Sequence, residues 1–127
     1  MPQNHAVQRT APTRGPVVTK AVVNAAEYLG LNARALAKVI GVSEPTVSRM
    51  KSGAYALDEG SKAYELAVLV VRIFRSLDAI SGGDPATVRG WMTSRNIALG
   101  DTPLSRINSV PGLIDVISYL DARRALV

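Results

Sequence analysis

The sequence predicts an all-α protein in which an N-terminal bundle of short helices is joined by a long central helix to a small helical domain. Along most of the 127 residues, apolar side chains recur at spacings of three and four, as they do on the buried face of a helix. Glycine and proline separate these periodic segments at positions where helices begin and end. No stretch alternates apolar and polar residues for long enough to predict a strand.

The first part of the chain is expected to form a flexible arm followed by two helices. Residues 1–16 combine prolines with polar side chains and show no apolar period, which is typical of a mobile segment. Apolar spacing then predicts a helix over residues 17–29, ended by Gly30, and a shorter helix over residues 33–40, ended by Gly41.

A third helix is predicted from signals at both of its ends. Ser43 is expected as its N-cap. Glu44 and Pro45 suit its first turn, where a carboxylate favours the helix dipole and a missing amide hydrogen does no harm. The helix should run to Ser52 and end at Gly53.

The longest periodic segment, residues 61–81, predicts a central helix. Its main apolar stripe consists of Ala63, Leu66, Val70, Ile73, Leu77 and Ile80. Further apolar residues widen this stripe, namely Tyr64, Ala67, Val68, Val71 and Phe74. Because little of the circumference is polar, other helices must cover this one on more than one side.

The remaining residues predict three shorter helical segments. The pair Asp84–Pro85 supplies an N-cap and a first-position proline for a helix that runs through Trp91, a residue expected in the core. Asn96 is expected to cap a short turn, and Thr102–Pro103 repeats the helix start signal. A final helix begins near residue 111 and buries Leu113, Val116, Ile117 and Leu120.

The residue inventory excludes several kinds of site. There is no cysteine and a single histidine, His5, which removes disulfides, thiolate or histidine-rich metal sites and Ser-His-Asp triads. No carboxylates pair at a telling spacing and no glycine-rich phosphate loop follows a strand, so we expect neither an enzyme nor a bound metal or cofactor. No apolar stretch is long enough to span a membrane, and we expect a soluble, cytoplasmic protein.

The net charge of +5 is concentrated in the first half of the chain. Residues 1–57 contain seven basic and two acidic side chains, whereas residues 58–127 contain eight of each. A basic first half suits a polyanion, and a neutral, apolar second half suits another protein. Many soluble proteins carry such a charge for solubility alone, so charge by itself leaves both interpretations open.

Residues 35–50 satisfy the requirements of a helix-turn-helix. Ala37 is small enough for two helices to approach closely, Gly41 permits the positive φ of the turn, and Val42 fills the junction. Val47 and Met50 face inward from the second helix. The side chains left on the outer face are Ser43, Glu44, Thr46, Ser48, Arg49 and Lys51.

These six outer residues are the candidate DNA-binding residues, since they lie where a recognition helix enters the major groove. Arg49 could bind guanine or phosphate, Thr46 a thymine methyl group or a phosphate, and Lys51 a phosphate. Glu44 would accept from a cytosine amino group. The alternative is a hairpin whose outer face is merely solvated. Stable binding would need a homodimer with half-sites about 34 Å apart.

Residues 35–51 resemble an Xre-type helix-turn-helix, and the second half resembles the toxin-binding domain of the Xre/MbcA/ParS antitoxins. The residues that carry the second resemblance are Arg72, Ile73, Phe74, Asp84, Pro85, Trp91, Asn96, Leu99, Gly100, Asp101, Thr102, Pro103, Leu104 and Gly112. The resemblance implies a helix-turn-helix DNA-binding domain over residues 17–60 and a helical toxin-binding and dimerisation domain over residues 61–127.

The resemblance also implies the antitoxin of a type II toxin–antitoxin pair. Its partners would be double-stranded operator DNA and a RES-like toxin that degrades NAD or transfers ADP-ribose, and no membrane. The C-terminal segment of the antitoxin would block the toxin's active-site entrance, and the helix-turn-helix would repress the shared operon. The antitoxin would act as a homodimer within a larger complex with its toxin.

The candidate toxin-binding residues are Tyr119, Asp121, Arg123, Arg124, Ala125, Leu126 and Val127. Two arginines followed by aliphatic residues could occupy a pocket built for the phosphates or ribose of a dinucleotide. Without the resemblance, this segment would be interpreted as a fraying end. A stand-alone dimeric repressor, whose second half dimerises or binds a ligand, is the alternative function.

Overall fold

A computed structural model describes residues 14–125, which form seven helices. Within this range there is no strand, only an isolated β-bridge between Asn96 and Asp101. The helices are α1 (Arg14–Leu29), α2 (Ala33–Ile40), α3 (Glu44–Ser52), α4 (Lys62–Ser81), α5 (Pro85–Thr93), α6 (Pro103–Arg106) and α7 (Val110–Ala125). The predicted all-α class is confirmed. Within these residues, no helix has the length and apolar character that crossing a bilayer requires.

Helix α4 is the structural centre of the molecule. It packs against α1 on one side and α7 on another, and it also contacts α2 and α5. Its buried residues are Leu66, Ala67, Val70, Ile73, Ser76 and Leu77. The prediction that this helix must be covered on more than one side is therefore confirmed, and its apolar circumference is explained by its two main neighbours.

The buried apolar residues form one core that extends from Val22 in α1 to Leu120 in α7. On one side of α4, helices α1, α2 and α3 make the first half of the molecule. On the other side, α5, α6 and α7 make the second half. Because α4 contributes to both halves, its packing fixes the position of one relative to the other.

The side chains of Tyr28 and Arg89 make further contacts between the halves. The Tyr28 hydroxyl at the end of α1 donates to the carbonyl oxygen of Gly83, and the Tyr28 ring meets Phe74 edge to face at 4.9 Å between centroids. Arg89 of α5 donates to the carbonyl oxygen of Glu27 at 2.8 Å. That carbonyl lies in the last turn of α1, where helix acceptors lack intrahelical donors, so Arg89 caps α1 from the second half.

Helix α1 begins at Arg14, three residues before the predicted start. Pro16 lies in the first turn, where its missing amide hydrogen removes no helical hydrogen bond. Gly15 packs so tightly that an added Cβ would lie 2.4 Å from the carbonyl oxygen of Leu57. Thr19 accepts a hydrogen bond from the Leu57 amide at 2.8 Å and fastens the same segment to α1. The rest of the predicted arm, with His5 and Arg9, lies outside the described residues.

Most of the predicted helices begin at a residue whose side chain caps the N-terminus. Ser43, Ser61 and Thr102 each accept from the backbone amide three residues later at 3.1 Å, which confirms the predicted caps at Ser43 and Thr102. Asp84 occupies the N-cap position of α5, but its side chain makes no such bond. Its carboxylate accepts from the Thr87 hydroxyl instead, and this bond lowers the pKa of Asp84. The sequence predicted the N-cap position of Asp84 correctly, but not the hydrogen-bond partner of its carboxylate.

Candidate functional site

Helices α2 and α3 form the predicted helix-turn-helix. Gly41 ends α2 with a φ of 77°, a left-handed conformation that favours glycine. The amides of Gly41 and Val42 both donate to the carbonyl oxygen of Ala37, at 2.9 and 3.0 Å, and close the helix end. The chain then turns directly to Ser43, the N-cap of α3. The turn glycine predicted from sequence is confirmed.

The inner face of this hairpin is apolar and tightly packed. Five of its side chains belong to the core and are at least nine-tenths buried, namely Leu36, Ala37, Ile40, Val47 and Met50. Val42 is half-buried at the junction and packs against the same core. These residues confirm the predicted inward pattern, which fixes the outer face of α3 toward solvent.

The outer face of α3 carries the six candidate DNA-binding residues. Five of them are exposed, namely Ser43, Glu44, Ser48, Arg49 and Lys51, while Thr46 is half-buried. The exposed side chains comprise two cations, one carboxylate and two hydroxyls. Such groups can contact both phosphates and base edges.

A chain of hydrogen bonds orders Arg49 on this face. The Ser43 and Thr46 hydroxyl oxygens lie 2.8 Å apart, and the Arg49 guanidinium donates to Thr46 Oγ1 at 3.2 Å. These residues are spaced three apart, so they lie along one side of the helix. The Thr46 hydroxyl therefore holds Arg49 toward the N-terminal end of α3. Part of the guanidinium remains exposed for a ligand.

Two neighbouring clefts beside the end of α3 are lined by further cationic side chains. Lys51 and Arg89 line one cleft of about 560 Å³ together with Glu27, the one carboxylate among its lining residues. Lys51 also lines a second cleft of about 390 Å³, with Lys20 of α1. The sequence prediction missed Lys20 and Arg89 as neighbours of the recognition helix. Their places depend on packing between distant segments, for which the sequence offers no local signal.

In the second half, Tyr119 and Arg123 are brought together at the end of α7. The Tyr119 ring stacks on Trp91 of α5, with centroids 6.1 Å apart and ring planes at 24°. The Arg123 guanidinium lies over the Tyr119 ring, 5.9 Å from its centroid, and donates to the hydroxyl at 3.1 Å. A hydrogen bond with Asn96, joined by the bond from Arg123, lowers the pKa of Tyr119.

The other candidate toxin-binding residues are placed differently. Asp121 forms an ion pair with Arg72 of α4 at 3.1 Å, and Arg124 donates to the Ser76 hydroxyl at 3.5 Å. Both side chains thus bond α7 to α4 while remaining exposed. Ala125 is exposed at the end of α7. Leu126 and Val127 lie outside the described residues.

Trp91 is half-buried rather than enclosed in the core, which corrects the sequence prediction. Its neighbour Met92 is fully buried instead, as is Val88 one turn earlier. Trp91 lines a cleft of about 230 Å³ between α4, α5 and α7, which we call the aromatic cleft. The cleft is lined by Leu77, Ile80, Ser81, Thr87, Val88, Trp91, Tyr119, Leu120 and Arg123.

Several sequence-motif residues of the second half support this arrangement. Asn96 caps its predicted turn by accepting from the Leu99 amide at 3.2 Å. Its own amide donates to the Asp101 carbonyl oxygen at 3.1 Å, which closes the loop before α6. Gly112 lies against the Arg106 backbone, where an added Cβ would be 1.8 Å from the carbonyl oxygen. These residues position α6 and α7 and therefore the wall of the aromatic cleft.

The fold and these surfaces define a helix-turn-helix protein with a second helical unit that carries its own exposed surface. Residues 8–72 match the antitoxin Xre-like helix-turn-helix domain. Residues 76–125 match the antitoxin Xre/MbcA/ParS C-terminal toxin-binding domain. The chain therefore belongs to the Xre-like antitoxins, as the sequence resemblance indicated. No curated protein sequence matches it.

The two family matches meet within α4, between residues 72 and 76. This helix is the one that both halves share. The matches establish an antitoxin with a helix-turn-helix domain and a toxin-binding domain. Among residues 14–125, no three histidine, cysteine or acidic side chains are grouped so that they could hold a metal ion. The division at residue 60 and the individual contact residues remain predictions.

Proposed function

We propose that this antitoxin neutralises a RES-like toxin, one that degrades NAD or transfers ADP-ribose, by covering its active-site entrance with the C-terminal segment. The toxin-binding domain match supports a protein partner, and the exposed end of α7 supports the mode of action. All five residues from Asp121 to Ala125 are exposed, so this end of the helix is accessible to a partner.

Charge at this end suits a site that binds a dinucleotide. Arg123 and Arg124 lie in the last turn of α7, where cations also favour the helix dipole. The planar guanidinium of arginine matches the geometry of a phosphate group. It pairs equally with a carboxylate of the toxin that would bind the ribose. Steric occlusion of this kind requires no chemistry on the antitoxin. The exposed end of α7 favours a toxin–antitoxin pair over the alternative of a stand-alone repressor.

We further propose that the outer face of α3 binds operator DNA and represses the antitoxin's own operon in the cytoplasm. Ser43, Glu44, Thr46, Ser48, Arg49 and Lys51 would enter the major groove, with the ordered Arg49 as the principal contact. Lys20 and Arg89, beside Lys51, extend the cationic surface toward flanking phosphates. A homodimer would place two such helices about 34 Å apart, one turn of DNA.

The occlusion mechanism is tested by replacing residues 124–127 with a Gly-Ser-Gly-Ser segment of the same length. We expect this variant to bind the cognate toxin but to lose inhibition of NAD turnover, because the side chains that fill the entrance are gone. Toxin activity and binding are measured in parallel. Ser118→Ala, an exposed change one turn and a half earlier on α7, is the matched control. Full inhibition by the replaced segment would exclude occlusion by these side chains.

A further inference from the structure

The aromatic cleft has the composition of a side-chain pocket. Leu77, Ile80, Val88 and Leu120 supply apolar surface, and the stacked rings of Trp91 and Tyr119 supply an aromatic wall. Its volume of about 230 Å³ is smaller than the roughly 300–1,000 Å³ typical of clefts for drug-sized ligands. The cleft therefore suits one large apolar side chain better than a cofactor or metabolite.

A single cation marks one side of the cleft. The lining residues include Arg123 and no carboxylate. Within residues 14–125 the ion pairs are Lys62–Glu65, Arg72–Asp121 and Arg106–Asp115, and Arg123 takes part in none of them. Its guanidinium is instead held over the Tyr119 ring with donors left over. A ligand that fills the cleft would complement this site best by presenting a carboxylate to Arg123.

The cleft is continuous with the surface already assigned to the toxin. Arg123 belongs both to the lining of the cleft and to the exposed last turn of α7, from which the proposed inhibitory segment departs. Tryptophan, tyrosine and arginine are the residues that most often dominate protein–protein binding energy. Here all three are grouped in one place, already stacked and hydrogen-bonded, so little side-chain freedom is lost on binding.

We infer that the aromatic cleft anchors the toxin by receiving a large apolar side chain of the toxin that is adjacent to an aspartate or glutamate. The apolar side chain fills the space beside Trp91, and the carboxylate pairs with Arg123. This inference rests on the proposed function, and it separates two tasks. The cleft supplies affinity, while residues 124–127 supply inhibition.

Trp91 gives a direct readout because it is the only tryptophan of the chain. Incorporation of fluorotryptophan into the antitoxin alone lets fluorine NMR follow the cleft while unlabelled cognate toxin is added. We expect the single resonance to shift on binding, and to shift equally in the chain whose residues 124–127 are replaced. A resonance that does not move at saturating, fully inhibited toxin would overturn the inference.

Two substitutions test the apolar lining of the aromatic cleft and its cation separately. Ile80→Asp places a charge in the apolar lining, and Arg123→Gln removes the cation while keeping a hydrogen-bonding group. We expect each to raise the Kd for toxin about 10-fold or more. The Ile80→Asp variant should still inhibit fully once saturated, because it leaves the C-terminal segment intact. Ile114→Asp, on the opposite side of α7 from Arg123, is the matched control and should leave the Kd unchanged.

The outcomes distinguish this inference from the proposed function. If the wild-type chain does not bind the toxin at all, the proposed function fails. If it binds and inhibits while both cleft variants keep the wild-type Kd, only the anchoring inference fails. If the Trp91 resonance depends on antitoxin concentration without toxin, and Ile80→Asp changes the sedimentation of the free chain, a second copy occupies the cleft and the inference is overturned. Circular dichroism confirms that each variant is folded.

Discussion

Arg49, the proposed principal DNA contact, is already ordered by a hydrogen bond within the chain. Its bond to Thr46 restricts the guanidinium before any ligand binds, so less conformational freedom is lost on binding. The spacing of Ser43, Thr46 and Arg49 was visible in the sequence, and this network could have been predicted from it. Thr46 is half-buried, and its hydroxyl accepts the bond that orders Arg49.

We expect Arg49→Ala to weaken operator binding by about 1–3 kcal/mol if Arg49 bonds a base edge, with relaxed specificity at that base pair. If Arg49 instead holds a phosphate, binding weakens uniformly across sequences and the salt dependence becomes shallower. Fluorescence anisotropy with a labelled promoter fragment at several salt concentrations measures both. Arg95→Ala, an equal change of charge at an exposed residue of the second half, is the control. An unchanged affinity and salt slope would remove Arg49 from the interface.

Gly112 is required by packing rather than by backbone conformation. An added methyl group would overlap the Arg106 carbonyl oxygen, and backbone there cannot move without shifting α6. We expect Gly112→Ala to lower the free energy of unfolding by about 3 kcal/mol. Gly90→Ala is the control, because nothing lies within 4 Å of an added Cβ there and alanine should stabilise α5 by about 0.5–1 kcal/mol. Equal stabilities of the two variants in urea would contradict this account.

The local helix signals were largely sufficient to predict the elements. Caps at Ser43 and Thr102 and the glycine at residue 41 act within a few residues of themselves, so sequence spacing captures them. The start of α1 was wrong because Gly15 packs on Leu57, a contact that no local pattern encodes. Trp91 was placed in the core for a similar reason. Only the position of α7, which brings Tyr119 beside it, decides that it lines a cleft.

Asp101 makes the stability of the loop before α6 depend on pH. The Thr102 amide donates to its carboxylate at 2.7 Å and lowers the pKa of Asp101, with a further contribution from the Ser105 side chain. A lowered folded-state pKa means that stabilisation is present above the unfolded pKa and is lost as pH falls through the folded pKa. We expect Asp101→Asn to be less stable than wild type at neutral pH, with the difference vanishing in acid. Urea unfolding of both chains across this range measures it, and a difference independent of pH would contradict the assignment.

At the scale of the whole molecule, the two functional halves share one core. Helix α4 serves both, and Tyr28 and Arg89 add direct hydrogen bonds between them. Sequence analysis predicted the central helix but not these bonds, whose partners are 55 and 62 residues apart. The proposed DNA-binding and toxin-binding surfaces are therefore parts of one packed body.

We expect the chain to unfold in a single cooperative transition, because neither half can keep its core without α4. Trp91 fluorescence follows the second half alone, while circular dichroism follows helices throughout the chain. The two signals should give the same urea midpoint. If Trp91 fluorescence changed at a lower urea concentration than the helical signal, the halves would be independent in stability.

We propose that one packed chain binds DNA through α3 and a toxin through the end of α7. The most direct measurement is the NAD turnover of the cognate toxin, titrated with the wild-type antitoxin and with Arg49→Ala. We expect both chains to abolish turnover at a stoichiometric ratio, since Arg49 lies on the other half. Turnover that persists in a large molar excess of wild-type chain would contradict the account.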